Sequence, residues 1–382
     1  MHSPSPFAEP VYTARPVMPD KERYVAHLEG IWTRQWLTNA GPLHEELTLA
    51  LRDHLRIDHL SLVANATIGL MLALRALDLE GEVITTPFTF PATPNVVANC
   101  GLTPVFADID DVSMTLSPAA VEAAITPRTS AILGVHVYGM PCDVHALQRI
   151  ADRHGLRVVY DAAHAFGTEL DGTPITAFGD ASAYSFHATK LFHTAEGGAV
   201  VSCSAELRER VDLLRNFGIR NETTVELPGI NGKMNELQAA LGLCNLDLIE
   251  AERSARAEIA DVYTERLGPR LGIRCVRPPS GVRDSRQYFA VRITGGTGRR
   301  DAVYDGLKRF NVFSRRYFYP LCSDYDFYRH LPSAGADLLP TSRRAAAEVL
   351  CLPYFGDLGA DGAHRICDMI EHIIGEEYVS TL

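Results

Sequence analysis

Two residues, Asp161 and Lys190, have the chemical types and the spacing that chemistry on a bound aldehyde would need. Lys190 lies in the stretch 182–201, between an apolar strand with a turn at Phe186–Thr189 and a second strand after Gly198, so we expect its amine to be buried. Burial disfavours an ammonium and lowers its pKa, which makes a lysine a good nucleophile for an aldehyde. Asp161 ends the mostly apolar run 156–160. A carboxylate there could keep a pyridinium nitrogen protonated, as the electron sink of pyridoxal 5′-phosphate (PLP) requires.

The lysine alone indicates little, because lysines commonly extend their ammonium to the surface. The sequence around it is more informative: Tyr-Asp-Ala-Ala-His-Ala-Phe-Gly at 160–167, Ser-Phe-His-Ala-Thr-Lys at 185–190 and Glu-Gly-Gly at 196–198. These segments closely resemble the DegT/DnrJ/EryC1/StrS family, the PLP-dependent sugar-nucleotide aminotransferases, and the resemblance runs from about Gly30 to the C-terminus. In that family a histidine at the lysine position marks sugar dehydratases, so Lys190 implies transamination.

The resemblance implies an α/β fold of the aspartate aminotransferase-like (type I PLP) kind. Such a fold has a large domain with a mostly parallel seven-stranded sheet, followed by a smaller C-terminal α/β domain. The residues themselves indicate the same class, because nearly continuous apolar segments alternate with helical ones, which is typical of a parallel sheet covered on both faces. The apolar segments are 60–64, 82–86, 103–108 and 131–138.

The chain is expected to have three parts. Residues 1–20 carry five prolines and little hydrophobic pattern, which predicts an extended N-terminal arm. Residues 21–250 are predicted to form the large PLP-binding domain, and residues 251–382 the small C-terminal domain. One long helix, from Glu236 to about Leu267, is predicted to connect them, because it is apolar at its start and charged later.

The composition argues against several classes of protein. A formal net charge of −11 argues against a nucleic-acid or membrane-surface partner, although a few local arginines could still bind an anionic nucleotide. The eight cysteines include no Cys-x-x-Cys pair and none at zinc-ligand spacing, so we expect free thiols and no metal site. The N-terminus lacks a basic segment followed by an apolar core, and the longest apolar stretch, 60–79, contains polar residues. We therefore predict a cytoplasmic protein without a membrane span.

The segment Asn65-Ala66-Thr67 opens a predicted helix. Its polar residues could simply cap that helix, or the helix N-terminus could bind a phosphate through free N–H groups. The resemblance implies the second role, because family members usually have Ser/Asn-Gly-Thr here and their amides surround the PLP phosphate. Thr67 and Ser185 are the expected hydroxyl donors. Ala66 replaces the family's glycine, and alanine would cost about 1 kcal/mol if the turn required a positive φ.

The resemblance also assigns contacts to the cofactor ring. Phe90 matches an aromatic ring that stacks on the cofactor, although an aromatic residue after a strand is usually a core residue. His164 matches a polar residue near the ring oxygen, and a satisfied core histidine is its alternative. With Lys190 and Asp161, His164 forms the predicted catalytic set.

Asn235 matches a family asparagine that contacts the PLP phosphate of the neighbouring subunit. This match implies a homodimer whose active sites are shared across the interface. The alternative role of Asn235 is to cap the helix that begins at Glu236, and the two roles are compatible.

Substrate contacts are less well defined by the sequence. Residues 38–39 belong to a loop that lies beside the sugar in the family, and a plain turn between helices is the alternative. Several cations could pair with a diphosphate or with the carboxylate of the amino donor, or could be solvated. The predicted substrate residues are Thr38, Asn39, His187, Arg220, Lys233, Arg316 and Tyr319, and Arg315 is a further candidate cation.

Three segments favour one branch of the family, at 36–42, 81–87 and 228–236. They most resemble enzymes that aminate C4 of dTDP-4-keto-6-deoxy-D-glucose with L-glutamate and form the 4-amino-4,6-dideoxy sugar nucleotide. We therefore predict an aminotransferase of this type, in which Lys190 holds PLP as a Schiff base and then moves a proton between substrate and cofactor. A dTDP-3-keto-6-deoxyhexose 3-aminotransferase is the near alternative. A non-catalytic PLP-binding regulator is the alternative from another class.

Overall fold

The computed structural model describes residues 3–380, with side chains as far as residue 376. Within this range the strands are β1 (Val11–Tyr12), β2 (Leu60–Val63), β3 (Glu82–Thr85), β4 (Thr103–Phe106), β5 (Thr129–Val135), β6 (Arg157–Asp161), β7 (Glu169–Leu170), β8 (Thr173–Pro174), β9 (Ala181–Ser185), β10 (Gly198–Ser202), β11 (Ile219–Asn221), β12 (Thr224–Val225), β13 (Ile273–Cys275), β14 (Val282–Arg283), β15 (Phe289–Ile293), β16 (Val312–Phe313) and β17 (Val349–Leu352).

The α-helices are distributed along the whole described chain. They are α1 (Lys21–Arg34), α2 (Pro42–Leu55), α3 (Ala66–Ala76), α4 (Ala92–Asn99), α5 (Pro118–Ala124), α6 (Val144–His154), α7 (Ala205–Leu214), α8 (Glu236–Leu246), α9 (Ile249–Arg266), α10 (Gly296–Lys308), α11 (Pro340–Glu348) and α12 (Gly359–Ser380). None of these helices is long and apolar enough to cross a membrane.

A seven-stranded sheet forms the centre of the larger lobe, in the order β2-β10-β9-β6-β5-β3-β4. Six strands run in the same direction, and β10 alone is antiparallel to its neighbours β2 and β9. The predicted mostly parallel, seven-stranded sheet is confirmed. Because the carboxyl ends of β6 and β9 lie at one edge, the residues that end these strands are brought close together.

The sheet is covered by helices on both faces. Successive residues of a strand point to opposite faces, so that Ile132 packs in an apolar cluster with α2 and α6 while Leu133 packs in another with α3 and α7. This double burial explains why the strands are apolar at nearly every position rather than alternately.

A smaller lobe follows, built on the antiparallel sheet β13-β15-β17 and the helices α10 and α12. Helix α9 connects the two lobes, because Ile249 belongs to a core cluster of the first and Ile259 to that of the second. The predicted single helix from 236 to 267 is wrong. The chain forms two helices, since the Leu248 N–H donates to the carbonyl three residues earlier and tightens the turn between them. The domain boundary near residue 250 stays a prediction.

The N-terminal segment runs along both lobes. Apart from β1, which pairs in parallel with β16, residues 3–20 form no helix or strand. The carbonyl of Val17 lies 2.7 Å from Nε2 of the buried His193, three residues after Lys190. The segment predicted as an arm therefore contacts the turn that holds the lysine.

Candidate active site

Lys190 lies in a tight turn between β9 and β10, at the carboxyl edge of the sheet. The Lys190 N–H donates to the carbonyl of His187 at 2.8 Å, and the Ala188 N–H donates to that of Ala195 at 2.7 Å. Phe186 and Phe192 pack edge to face beneath the turn, with ring centroids 4.7 Å apart. The turn is therefore fixed by its own hydrogen bonds and by an aromatic base.

Asp161 ends β6 and is buried beside this turn. One carboxylate oxygen accepts a 2.7 Å hydrogen bond from the Thr93 hydroxyl, and the other accepts a 3.0 Å bond from the Ala163 N–H. Burial raises the pKa of Asp161, while Thr93, Ala163 and the nearby Lys190 act in the opposite direction. Hydrogen bonds to the charged form favour an ionised carboxylate.

The pKa of the Lys190 ammonium is also shifted by burial. Solvent reaches part of the residue through the cavity, yet burial of the amine lowers its pKa to about 8, and the charge of Asp161 only partly offsets this effect. Burial penalises the charged form of both groups, which is why the two pKa values move toward each other. The lysine is thus poised to give up its proton near physiological pH.

His164, three residues after Asp161, is also buried. Its Nδ1 accepts a 3.2 Å hydrogen bond from the backbone N–H of Tyr138, so that Nε2 carries the proton of the neutral ring. Burial, and to a lesser degree the charge of Lys190, lowers the pKa of His164 well below its usual value. The ring is parallel to that of Phe318, with centroids 6.0 Å apart. His164 is therefore a neutral hydrogen-bond donor.

The N-terminus of α3 closes the opposite end of the site. The Asn65 side chain caps this helix by accepting a 2.9 Å bond from the Ile68 N–H. Ala66 does not have a positive φ, so the alanine at this position causes no strain. A Cβ on Gly198 would lie 2.8 Å from the Ala66 nitrogen, which shows how closely β10 approaches the turn. Asn65 therefore caps the helix, as one of the two predicted roles required, and the helix N-terminus can still bind an anion.

Lys190, Asp161, His164 and the first residues of α3 line one cavity of about 680 Å³. Its lining includes all the predicted cofactor residues except Asn235, together with one predicted substrate residue: Asn65, Ala66, Thr67, Phe90, Asp161, His164, Ser185, His187 and Lys190. A helix N-terminus with two hydroxyls, a hydrogen-bonded carboxylate and a lysine amine suit the phosphate, the ring nitrogen and the aldehyde of PLP respectively. The residues present fit this cofactor.

The second lobe supplies a wall of the cavity that the sequence analysis largely missed. Tyr288, Arg315, Tyr317 and Phe318 line it, and the Lys190 ammonium lies 5.7 Å from the centroid of the Tyr288 ring. Thr93, which holds Asp161, was missed as well. The sequence signal for Thr93 is that it belongs to the same polar and aromatic segment after β3 as Phe90.

The other predicted residues lie outside this cavity. Arg220 pairs with Glu226 at 2.7 Å and with Glu209, and Lys233 donates to Asn216 at 2.7 Å. Six predicted substrate residues lie outside the cavity of their own chain: Thr38, Asn39, Arg220, Lys233, Arg316 and Tyr319. Their roles stay predictions.

Asn235 also lies outside the cavity of its own chain. It begins α8 with a reciprocal capping box, in which its side chain and that of Gln238 each accept from the backbone of the other. The buried Glu236 then accepts from the N–H groups of Leu43 and His44, at 3.0 and 2.8 Å, at the start of α2. The Glu236 N–H also donates to the Leu37 carbonyl at 3.0 Å, so Glu236 joins the turn at Asn235 to both ends of the loop that contains residues 38–39.

Comparison with known proteins gives the same assignment. The model of the DegT/DnrJ/EryC1/StrS aminotransferase family matches residues 19–371. A relative from Escherichia coli, named dTDP-4-amino-4,6-dideoxy-D-glucose transaminase, is 43% identical over 360 residues, which are 93% of this chain and 96% of the relative.

Solved structures show the same fold. The structure of DesI in the presence of its TDP-sugar product has a TM-score of 0.93 and 39% identity, covering 99% of this chain and 97% of that one. S. venezuelae DesV, in complex with a ketimine intermediate, has a TM-score of 0.86 and 30% identity, covering 95% and 99%. Since sequence and structure match along nearly the whole chain, the protein belongs to the DegT/DnrJ/EryC1/StrS aminotransferase family.

Proposed function

We propose that this aminotransferase uses PLP to transfer the amino group of L-glutamate to C4 of dTDP-4-keto-6-deoxy-D-glucose. The observation that carries the proposal is that Lys190, Asp161 and the N-terminus of α3 line one cavity. The choice of sugar is supported by the E. coli relative, whose name gives the 4-amino sugar nucleotide as its amine. A transaminase that acts on this amine exchanges it with the corresponding 4-ketone.

The ends of the cavity suit different parts of the cofactor. The free N–H groups at the start of α3 and the hydroxyls of Thr67 and Ser185 would hold the phosphate. The Asp161 carboxylate would keep the ring nitrogen protonated, and Phe90 would present its ring to one face of the cofactor. When bound, PLP supplies an aldehyde that accepts the amino group and a ring that withdraws electrons from the substrate carbon.

Lys190 performs the proton transfers. A pKa of about 8 leaves part of the Lys190 amine neutral near neutral pH. The neutral amine can take a proton from the substrate carbon and deliver it to the cofactor. His164 would donate through Nε2 to an oxygen of the cofactor ring. The aromatic rings of Tyr288 and Phe318, which line the same cavity, would limit access of water.

The proposed active unit is a homodimer in the cytoplasm. Asn235 and the loop at 38–39 lie away from the cavity of their own chain but are joined to each other through Glu236. The same chain exposes large apolar residues, among them Trp32, with 68% of its surface accessible to solvent, and Val225, with 67%. Exposed apolar surface of this kind favours a partner, and a second copy would bring Asn235 to the neighbouring phosphate site.

The visible absorbance of the PLP-loaded protein tests the proposal. L-Glutamate should bleach the band of the lysine-bound cofactor, and dTDP-4-keto-6-deoxy-D-glucose should restore it. Bleaching without recovery would reject this sugar and make the 3-keto isomer the next substrate to test. PLP binding without any bleaching would reject the aminotransferase reaction in favour of the non-catalytic regulator. A Lys190→Ala variant serves as the control that lacks the lysine-bound band.

A further inference from the structure

Arg315 is a charged side chain of the reaction cavity, and none of the side chains that the structure describes pairs with it. The other charged residues of the lining are accounted for: Asp161 and Lys190 serve the cofactor, and Glu196 lies 3.7 Å from His187. Within residues 3–380, the Arg315 guanidinium makes no hydrogen bond or ion pair with a described side chain or carbonyl. A free guanidinium in a cavity is a site for an anionic group of a ligand.

The backbone holds Arg315 firmly in this place. Its N–H donates to the carbonyl of Cys351 at 3.1 Å, and the Cys351 N–H donates back to the Arg315 carbonyl at 2.7 Å. Cys351 is fully buried in β17. Because the N–H and the carbonyl of Arg315 are both bonded to this buried strand, the guanidinium extends into the cavity from a fixed backbone, which lowers the entropic cost of binding.

The adjacent arginine has a different environment. Arg316 donates to the Asp301 carboxylate at 3.0 Å and lies over the ring of Tyr304, with its guanidinium carbon 4.4 Å from the centroid. Asp301 also pairs with Arg300 at 2.6 Å, so the Arg316 guanidinium is already engaged in a charge cluster of the smaller lobe. Of the two neighbouring arginines, only Arg315 is available to a substrate.

We infer that Arg315 binds the α-carboxylate of the amino donor. This inference rests on the proposed function, in which an amino acid and a sugar nucleotide use the same cavity in turn. The α-carboxylate is attached to the same carbon as the reacting amine, so it must lie close to Lys190 when the amine reacts. The diphosphate of the sugar is attached at C1, across the ring from C4, and lies farther from the reacting carbon. A planar guanidinium matches a carboxylate through two parallel hydrogen bonds.

Separate measurement of the two half-reactions tests the inference. In the PLP-loaded Arg315→Gln variant, the second-order rate constant for L-glutamate should fall on the order of 10²-fold, because the carboxylate loses a charged partner. The rate constant of the aminated variant for the keto sugar should change less than threefold, roughly the effect of a surface change. Arg315→Lys keeps the charge without the planar fork and should lie between the two. Arg309→Gln, which removes an exposed arginine paired with Glu376, is the matched control.

A donor without the α-carboxylate makes the test sharper. The parent enzyme should strongly prefer L-glutamate over 4-aminobutyrate, and Arg315→Gln should lose most of that preference. The variant should also bind the unreactive dicarboxylate glutarate more weakly in calorimetry. An equal loss of rate with both donors would overturn the inference. A loss of rate confined to the keto sugar would also overturn it, and would assign Arg315 to the diphosphate. Failure of the parent enzyme to aminate the sugar would count against the proposed function and not against Arg315.

Discussion

The side-chain amide of Gln287 spans the backbone on both sides of Lys190. Its Oε1 accepts from the Leu191 N–H at 2.7 Å, and its Nε2 donates to the Thr189 carbonyl at 2.9 Å. Gln287 is buried and lies just before β15, so the smaller lobe holds the lysine turn of the larger one. The position of the reactive amine thus depends on contacts between residues about a hundred positions apart.

Gln287→Leu should weaken both the fold and the reaction. The substitution leaves the buried Leu191 N–H without a partner, which costs about 1–3 kcal/mol, and also removes the donor to the partly buried Thr189 carbonyl. The free energy of unfolding should fall accordingly, and kcat should fall because Lys190 is less well placed. Denaturant titration and steady-state kinetics measure the two effects. Gln148→Leu, which removes only a contact with Asp152 on α6, is the control, and equal effects of the two substitutions would contradict the role of Gln287.

Thr93→Val should change the pH dependence of the reaction. The Thr93 hydroxyl donates to the Asp161 carboxylate and lowers its pKa, so removing the hydroxyl raises that pKa. Since the ring nitrogen needs an ionised Asp161, the acid limb of the plot of log kcat against pH should move to higher pH. At the acid end the rate should fall about tenfold, the value of one hydrogen bond to a charged group. Thr93→Ser keeps the hydroxyl and should retain the parent profile; an unshifted limb in Thr93→Val would reject this role.

Chemical labelling of the cofactor-free protein should report the acidity of Lys190. Only the neutral amine reacts with trinitrobenzenesulfonate, so labelling of Lys190 should rise with pH with a midpoint near its pKa of about 8. The negative charge of Asp161 raises this pKa, and Asp161→Asn should therefore move the midpoint to lower pH. Mass spectrometry can follow the exposed Lys21 in the same sample as a control. A midpoint that moved upward in Asp161→Asn would show that the sign of the coupling is wrong.

The residues that the sequence predicted best belong to short local motifs. Asp161 and Lys190 lie at the ends of buried strands, and the parallel sheet brings these strand ends together, so local pattern and fold class place them. The role of His164 is implied by the family resemblance, because a histidine among apolar residues is by itself more often a core residue. Asn65 and Thr67 stand at the start of a helix, and a helix N-terminus is recognisable in sequence. Their role at a phosphate is implied by the family resemblance.

The missed residues depend on tertiary contacts that have no local signal. Tyr288 and Phe318 reach the cavity from the smaller lobe, and Gln287 reaches the lysine turn. No spacing in the sequence shows which side chains of the smaller lobe face the other lobe. The predicted substrate cations illustrate the opposite case. An arginine in sequence does not reveal its partner, and the structure shows that Arg220 is already paired with two glutamates.

Mixing two inactive variants should test the shared active sites of the proposed dimer. Lys190→Ala removes the reactive amine of one site, and Asn235→Ala is expected to weaken the phosphate site of the neighbouring subunit. If the two residues serve the same site from different chains, mixed dimers contain one site with both residues altered and one with both intact. Activity should therefore return after the variants are dissociated and reassociated together. Recovery would not occur if each chain used its own Asn235, or if the active protein sedimented as a monomer.

The most direct test of the proposed reaction follows the nitrogen itself. The PLP-loaded enzyme is incubated with ¹⁵N-labelled L-glutamate and dTDP-4-keto-6-deoxy-D-glucose, and the sugar nucleotide is examined by ¹H–¹⁵N NMR. The account predicts that the label appears on C4 of a 4-amino-4,6-dideoxy sugar, and that Lys190→Ala gives no labelled sugar. Label on C3 would contradict the account. So would an enzyme that leaves this sugar unlabelled but transfers the label to a different keto sugar.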